Sequence, residues 1–285
     1  MKFSCLLGLA TIAKADKHCQ GIFFRNEAYY DVRILREGVT ELRSLTALRR
    51  FQGENRIKEL YFTYTYIDKK VRSKTAYLTV DDKIFHMINA VNNTNTNCAD
   101  DKKGIIYIGA SDGIYTLNPA NKTVVKTGIS QDNVIDVSVN DNGLFYVTAN
   151  NEIYMYNNYG NTRVNGLEYV KIKQIVFTND NKCVFLTQDD TVGVGAISMS
   201  GTAYSSSFST TNMRGKALSV DRNGVIYLCA PDALYEFNRS KDGFNKVADL
   251  PNLQGIVFGV DNTPFYAASG FLVQLIKNEV PCFGD

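Results

Sequence analysis

The sequence predicts an all-β protein, a six-bladed β-propeller closed by an N-terminal strand that completes the last blade. The main evidence is an apolar–aromatic step that recurs six times, at successive spacings of 46, 39, 39, 42 and 39 residues. A period near 40 residues, with four short strands per unit, is the signature of propeller blades. Outside the first 50 residues, no long apolar stripe of helical period competes with this interpretation. The recurring aromatic residues are Tyr61, Tyr107, Tyr146, Phe185, Tyr227 and Tyr266.

The clearest unit lies between Gly104 and Gly128. Its runs of Val, Ile, Thr and Tyr suit a pleated, half-buried surface, and Ser-Asp-Gly and Asn-Pro turns separate them. A second aromatic residue follows the recurring one by eight positions in three units, as Tyr115, Tyr154 and Tyr235. We therefore expect units at roughly 45–78, 95–128, 134–166, 174–210, 216–250 and 256–280.

The final unit is incomplete, and this predicts how the ring closes. Its third strand ends near Ile276, and no outer strand follows it. The segment from Val32 to Leu35 resembles the outer strands of the other units. We therefore expect this segment to pair with the final unit, because the overlap would remove the open sheet edges of an unclosed array.

Residues 1–15 have the pattern of a secretory signal peptide. Lys2 precedes an apolar run from Phe3 to Ala13, and a small-x-small triplet ends the segment. The run is too short to span a bilayer, and no other stretch is apolar enough, so we expect no membrane anchor. Residues 16–285 are predicted to be a single secreted propeller domain. Three sequons, at Asn92, Asn121 and Asn238, fit a glycoprotein.

The charge balance argues against nucleic acid as a partner. Loss of Lys2 and Lys14 with the signal segment lowers the number of Lys and Arg residues from 31 to 29, against 29 Asp and Glu. No long basic run remains to neutralise phosphates, on which nucleic-acid binding depends. The composition, 45% hydrophobic and 21% charged, is that of an ordinary globular domain.

The positions of the cysteines predict a disulfide bond where the ring closes. After removal of the signal segment an odd number remains, so at least one thiol is unpaired within the chain. Cys19 and Cys282 lie at the two ends of the mature chain, where a ring would bring them together. We expect a disulfide between them, which would stabilise the protein mainly by restricting the unfolded chain. The other cysteines are interpreted as small buried hydrophobic residues: Cys98, Cys183 and Cys229.

The central channel is the expected binding site, because small ligands bind where the innermost strands of a propeller begin. Counting back ten to twelve residues from each recurring aromatic residue gives the candidates. Asp136 is the single carboxylate among them, and it is accompanied by basic side chains. Such a set suits an anionic or zwitterionic ligand better than a divalent cation, which prefers several carboxylate oxygens. The predicted ligand-binding residues are Arg49, Arg50, Asn97, Asp136, Gln174, Lys216 and Gln254, with Asn95 beside them.

Aromatic side chains are a second source of ligand contacts. The recurring ones are expected to pack between blades, whereas Tyr64, Tyr66 and Phe258 break the repeat and are freer to face a flat ligand. Core packing explains these three residues at least as well. No Gly-x-Ser-x-Gly elbow is present, and the isolated His18 and His86 lack convergent partners. We therefore expect no catalytic residue, no metal and no cofactor.

Three segments resemble the insect ommochrome-binding proteins. They are Cys19-Gln20-Gly21, the run Tyr107-Ile108-Gly109-Ala110-Ser111-Asp112-Gly113-Ile114-Tyr115, and Val280-Pro281-Cys282. The resemblance implies a secreted haemolymph carrier of a phenoxazinone pigment of the xanthommatin type, and not an enzyme. Such a pigment is flat and carries amino-acid and carboxylate groups, so it would suit aromatic faces and basic side chains. We expect the carrier to be a monomer.

Two other functions stay open on the sequence alone. A propeller hydrolase of the gluconolactonase type would hold a divalent metal with a ring of Glu, Asn and Asp, and would show lactonase or esterase activity. An extracellular interaction module would bind a protein instead of a pigment. The visible absorption spectrum of protein purified from its native fluid would separate the carrier from both.

Overall fold

Each repeat unit folds into a blade of antiparallel strands, and six blades form a ring, which confirms the predicted fold class. The structure is a computed structural model that describes residues 22–25, 28–39, 41–49, 56–68, 70–178, 182–200 and 203–278. Alternate side chains of each strand point to opposite faces of its sheet, so they pack against the two neighbouring blades. Within the described residues, no helix has the length and apolar character that crossing a bilayer requires.

The first half of the ring contains blades 1, 2 and 3, and two further strands precede it. The two preceding strands are β1 (Ile22–Phe24) and β2 (Ala28–Glu37). Blade 1 consists of β3 (Leu42–Thr46), β4 (Glu59–Asp68), β5 (Lys70–Thr79) and β6 (Phe85–Met87). Blade 2 consists of β7 (Thr94–Asp100), β8 (Ile105–Ala110), β9 (Gly113–Asn118) and β10 (Thr123–Lys126). Blade 3 consists of β11 (Val134–Asn140), β12 (Gly143–Thr148), β13 (Ile153–Asn157) and β14 (Gly160–Asn165).

The second half of the ring contains blades 4, 5 and 6. Blade 4 consists of β15 (Ile172–Phe177), β16 (Lys182–Thr187), β17 (Thr191–Ser200) and β18 (Ala203–Arg214). Blade 5 consists of β19 (Ala217–Val220), β20 (Ile226–Cys229), β21 (Leu234–Asn238) and β22 (Gly243–Ala248). The chain supplies blade 6 with only three strands at this end: β23 (Leu253–Phe258), β24 (Pro264–Ala268) and β25 (Phe271–Lys277).

Two turns between strands require glycine. Gly113 and Gly143 both adopt positive φ angles, of 136° and 148°, which favour glycine. A Cβ atom on Gly113 would lie 2.3 Å from the Ser130 carbonyl oxygen, and one on Gly143 would lie 2.4 Å from the Tyr156 carbonyl oxygen. Both positions therefore require glycine for the backbone angle and for the close approach of a backbone carbonyl group.

The ring closes between the N-terminal segment and the last blade, as predicted. Strand β2 pairs antiparallel with β25, and the register places Val32 opposite Leu275 and Ile34 opposite Val273. Strand β1 then pairs with β2, which gives blade 6 a fifth strand that the sequence had not indicated. The overlap joins the two ends of the described chain within one sheet and covers an edge that would otherwise be open.

Arg25, just after β1, extends this closure to blade 5. Its backbone N–H donates to the Val247 carbonyl oxygen at 2.8 Å. Its guanidinium lies 3.2 Å from a carboxylate oxygen of the buried Asp221 and 3.4 Å from one of Glu236. The guanidinium also lies 5.3 Å from the centre of the Tyr227 ring. The N-terminal segment is therefore fastened to two adjacent blades.

Blades 3 and 4 are joined at their outer edges, which the repeat pattern did not predict. Strand β14 pairs in parallel with β18, with Val164 opposite Tyr204 and Asn165 opposite Ser205. The pairing is possible because β17 and β18 form a hairpin longer than the outer strands of the other blades. The two blades therefore share one eight-stranded sheet.

The recurring aromatic residues lie in the core, as predicted. Each is at most 5% exposed, and they belong to clusters between neighbouring blades. Tyr227 is fully buried with Phe258 from the next blade, and their ring centres are 4.4 Å apart. The repeat therefore reflects a packing requirement: each blade contributes one large buried side chain from its second strand to the core between blades.

Several predictions concern residues outside the described part of the chain. The signal segment, the Cys19–Cys282 disulfide and Arg50 all lie there, so they stay predictions. The other three cysteines are free thiols, and burial raises the pKa of Cys183 to about 12. Cys229 is likewise fully buried, whereas Cys98 is only partly covered. All three sequon asparagines lie in or beside turns, with Asn92 and Asn121 exposed and Asn238 half-buried.

The closing strand offers a direct test of how the ring is held together. Leu35 is 4% exposed and packs in the cluster between blades 6 and 1, whereas its neighbour Ile34 is 42% exposed. Leu35→Ala should lower the free energy of unfolding by about 2–4 kcal/mol, because it leaves a cavity. Ile34→Ala, on the same strand, should cost less than about 1 kcal/mol. Urea titration of both variants tests this, and equal losses would mean that the closing strand does not pack as described.

Candidate functional site

The wall of the central channel is made of six edge strands. They are the innermost strands β3, β7, β11, β15, β19 and β23. Because each is an edge of its sheet, its outward N–H and C=O groups need partners other than a further strand. Several of these partners are side chains from the preceding blade. The backbone N–H of Ile175 donates to Asp136 at 2.8 Å, that of Leu218 to Gln174 at 2.8 Å, and that of Leu42 to Gln254 at 3.3 Å.

The channel holds two cavities that meet in the middle. The first, of about 510 Å³, lies at the start mouth, the end of the channel where the innermost strands begin. The second, of about 530 Å³, runs to the end mouth, where those strands finish. Four side chains line both cavities, and we call them the waist. They are Arg43, Asp136, Gln174 and Gln254.

A group of ion pairs from blades 4 and 5 lies at the rim of the start mouth. Lys173 Nζ lies 2.8 Å from one oxygen of Asp190, and Lys216 Nζ contacts the other oxygen. These side chains are 24% to 53% exposed, so the pairs are hydrated and contribute little to stability. Both lysines lower the pKa of the Asp190 carboxyl against the opposing effect of desolvation. Two ammonium groups share one carboxylate here, which leaves the group with net positive charge.

At the waist, the two charged side chains have no partner of opposite charge among the described residues. The Arg43 guanidinium donates to Thr65 Oγ1 at 3.1 Å and to Asn95 Oδ1 at 3.2 Å, both of them neutral. Asp136 is 4% exposed and accepts from Thr96 Oγ1 at 3.1 Å and from the backbone N–H of Ile175. Desolvation raises the pKa of the Asp136 carboxyl to about 7, although these hydrogen bonds oppose the rise.

The end mouth is crossed by the side chain of Arg49. Its guanidinium lies 3.0 Å from Asp101 in blade 2 and donates to the carbonyl oxygens of Val220 in blade 5, at 2.7 Å, and Phe258 in blade 6, at 3.3 Å. Blades 2 and 5 lie opposite each other in a ring of six, so these contacts span the channel. The sequence had placed Arg49 with the ligand-binding residues at the start mouth, but it lies at the opposite end.

The other predicted site residues divide into two groups. Asn97 is 5% exposed, and its side chain donates to Thr63 Oγ1 at 2.9 Å, while its own Oδ1 has no hydrogen-bond partner. Phe258 is fully buried in the core between blades 5 and 6, so no face of its ring is free for a ligand. Tyr64 and Tyr66 are half-buried and pack against each other at 6.0 Å, outside the residues that line the two cavities.

Arg43 is the site residue that the sequence did not reveal. Fixed counting from Tyr61 points to residues 49–50, because the other units have short connections between their first two strands. In blade 1, β3 ends at Thr46 and β4 begins only at Glu59. Counting back to the first β-like run before that long connection would have led to Arg43.

The fold and the site together define a six-bladed β-propeller with a polar, charged central channel. No family model matches the sequence. Over 230 residues the chain is 22% identical to an ommochrome-binding protein of Manduca sexta, covering 77% of this chain and 80% of that protein. The resemblance inferred from the sequence is confirmed by this similarity.

Solved structures agree on the fold. A putative gluconolactonase superposes with a TM-score of 0.64 at 13% identity, covering 93% of this chain and 97% of that one. A gluconolactonase from Xanthomonas campestris gives 0.63 at 12% identity, over 87% and 90% of the two chains. A streptogramin B lyase gives 0.54 at 12% identity, over 92% and 100%. At such low identity these likenesses show the fold alone.

Within the described part of the chain, no group of three or more His, Cys, Asp or Glu side chains is arranged to hold a metal ion. At the waist the observed groups are a guanidinium, two amides and one buried carboxyl. A guanidinium in that position repels a divalent cation.

The buried carboxyl of Asp136 gives a pH-dependent prediction. Its pKa is near 3.9 in the unfolded chain and about 7 in the folded protein, so the folded state binds the extra proton between these values. Stability therefore falls as the pH rises from about 4 to 7. Asp136→Asn removes the titrating group: its amide oxygen can accept from the Ile175 N–H, and its NH2 group can donate to Thr96 Oγ1. Its stability relative to the wild type should rise by up to about 4 kcal/mol between pH 4 and pH 8.

Thermal unfolding at several pH values measures this difference. Asp141→Asn is the matched control, since Asp141 is 55% exposed and paired with Lys102 at the end mouth. The difference in stability between Asp141→Asn and the wild type should not grow comparably with pH. A constant difference between Asp136→Asn and the wild type would mean that Asp136 is ionised in the folded protein at every pH tested.

Proposed function

We propose that this protein is a secreted carrier that binds an ommochrome-type pigment at its central channel. The observation that carries the proposal is the similarity to the ommochrome-binding protein of Manduca sexta, which extends over 77% of the chain. Secretion is supported by the signal-peptide pattern of residues 1–15. On this proposal the protein works in haemolymph as a monomer, without a cofactor and without contact with nucleic acid or membranes.

The start mouth has the size and charge for such a ligand. Its cavity of about 510 Å³ falls within the range of roughly 300–1,000 Å³ that is usual for small-molecule sites. Lys173 and Lys216 at its rim and Arg43 at its base provide positive charge. These groups would form charge-assisted hydrogen bonds with pigment carboxylates. Gln174 and Gln254 also line the cavity, although each side chain already forms hydrogen bonds with the backbone of the innermost strand of the next blade.

Aromatic side chains that could stack on a pigment lie outside the start-mouth cavity. Among the described residues that line the start-mouth cavity, none is Tyr or Phe. Tyr64, Tyr66 and Phe85 instead form an aromatic cluster on blade 1, where Arg36 lies 4.7 Å from the centre of the Phe85 ring. This cluster is the alternative place for a flat anionic ring, should the channel not bind it.

A propeller hydrolase is the competing function, because gluconolactonases are among the structural neighbours. We propose a carrier without enzyme activity, since the waist offers one buried carboxyl beside a guanidinium. Calcium, by contrast, takes six to eight oxygen ligands and usually more than one carboxylate. The two functions differ in their need for a metal, which allows a direct test.

Chelation separates the carrier from a metal-dependent hydrolase. EDTA should leave the melting temperature unchanged, because no ion-binding energy would be lost. Added calcium or zinc should produce no lactonase or esterase turnover. Differential scanning fluorimetry and a lactone hydrolysis assay measure the two effects. A melting temperature that falls with EDTA and recovers with calcium would favour the hydrolase.

Pigment binding is tested by titrating xanthommatin into the protein and following its visible absorption. Lys216→Ala should weaken binding by about tenfold, the lower end for a charge-assisted contact, because Lys173 remains in place. The matched control is Lys126→Ala, which removes a similarly exposed lysine, 3.0 Å from Asp112, on the outer strand of blade 2. The control should bind like the wild type.

Three outcomes of the titration are informative. No spectral change with the wild type would contradict the carrier function itself. Equal affinity of wild type and Lys216→Ala, with both proteins folded, would remove this lysine from the site. In that case, a loss of affinity in Tyr66→Ala would place the pigment at the aromatic cluster of blade 1.

A further inference from the structure

The waist contains two opposite charges that face the same space without pairing with each other. Asp136 and Arg43 both line the two cavities, but no ion pair connects them, and each is held only by neutral groups. The ring keeps them apart: Arg43 belongs to blade 1 and Asp136 to blade 3, and strand β7 of blade 2 lies between.

Such an arrangement is costly for the folded protein alone. A carboxyl that is 96% buried loses most of its hydration, and a nearby cation would normally compensate the ionised form. Asp136 accepts from Thr96 Oγ1 and from the backbone N–H groups of Ile175 and Val137, and a carboxylate with about four acceptor positions keeps some of this capacity unused. The Arg43 guanidinium has five N–H donors, and the two hydrogen bonds described above leave the others for a ligand. Arg43 is exposed and hydrated, so the cost of burial falls on Asp136. A buried carboxyl without a cation and a guanidinium that line the same cavities point to a ligand that brings an ammonium and a carboxylate.

We propose that the waist binds the α-amino acid head group of the ligand, its ammonium at Asp136 and its carboxylate at Arg43. The proposal rests on the carrier function and narrows it to ligands that bear a zwitterionic head group. The rest of the ligand would extend into the start-mouth cavity, toward Lys173 and Lys216. Head groups with a single charge would leave one waist residue unpaired, so the site would reject them.

The groups around Asp136 allow the pH dependence of ligand binding to be assigned to this residue. On its own side of the channel, Cys98 of blade 2 faces it, and burial raises the pKa of that thiol well above its usual range. The other charged groups lining the start-mouth cavity are Glu41 and Arg43 from blade 1, Lys173 from blade 4 and Lys216 beside blade 5. Because desolvation raises the pKa of Asp136 to about 7, the carboxylate that would bind the ammonium forms mainly above this pH.

Three indole compounds test the head group independently of the pigment. L-tryptophan carries both charges, tryptamine only the ammonium, and indole-3-propionate only the carboxylate. Isothermal titration calorimetry at about pH 8 should show L-tryptophan binding at least about tenfold more tightly than either of the others. Its affinity should also fall by about tenfold from pH 8 to pH 6, while that of indole-3-propionate should not fall.

Two variants assign the two charges. Asp136→Asn should lower the affinity for L-tryptophan to that of indole-3-propionate, remove the pH dependence, and leave indole-3-propionate binding unchanged. Arg43→Gln should lower the affinity for L-tryptophan to that of tryptamine. Asp141→Asn and Lys126→Ala are the matched controls and should bind all three compounds like the wild type. A wild type that binds L-tryptophan no better than the singly charged compounds overturns the proposal.

A parallel titration with xanthommatin and its N-acetylated form separates this inference from the carrier function. Weaker binding of the acetylated pigment to the wild type, but not to Asp136→Asn, supports both. Equal binding of the two pigments to both proteins leaves the carrier function standing and overturns the head-group site. L-tryptophan could bind more tightly than tryptamine and indole-3-propionate while neither pigment binds. This result would support the head-group site and contradict the carrier function.

Discussion

The structure depends on how six open strand edges are satisfied around one channel. Every innermost strand directs backbone N–H and C=O groups toward the axis, where no further strand can pair with them. Side chains of the preceding blade replace the missing strand: Asp136 accepts from Ile175, and Gln174 both accepts from and donates to Leu218. These bonds couple neighbouring blades at their narrowest point, so the channel wall and the ring are stabilised together.

This constraint limits what the channel can bind. Gln174 has committed both its amide oxygen and its nitrogen to blade 5, so it can offer a ligand only the remaining capacity of those atoms. Arg43 and Asp136 differ, because their bonds to neutral groups leave their charges uncompensated. If the channel binds a ligand as proposed, selectivity would depend on these two residues more than on the amides, and the amides would set the shape of the space between them.

The sequence predicted the features that repeat and missed those that depend on contacts between distant segments. The recurring aromatic residues and the closing strand around Ile34 follow from periodicity, because each blade must solve the same packing problem. Asp136 was placed on the channel by the same counting. The count failed in blade 1, where the long connection after Thr46 displaces Arg49 to the end mouth. Phe258 broke the pattern because Phe24, far away in sequence, packs against it.

The two mouths of the channel differ in how firmly their charged side chains are held. At the end mouth the Arg49 side chain lies across the opening, held by a carboxylate and two carbonyl oxygens from three blades, so moving it would break three contacts. At the start mouth Lys216 and Lys173 are long, exposed side chains that share the single carboxylate of Asp190. Exposed pairs of this kind rearrange at little cost in free energy. On the proposed carrier function, a ligand would therefore enter and leave past the lysines, because the Arg49 side chain and its partners cross the far end.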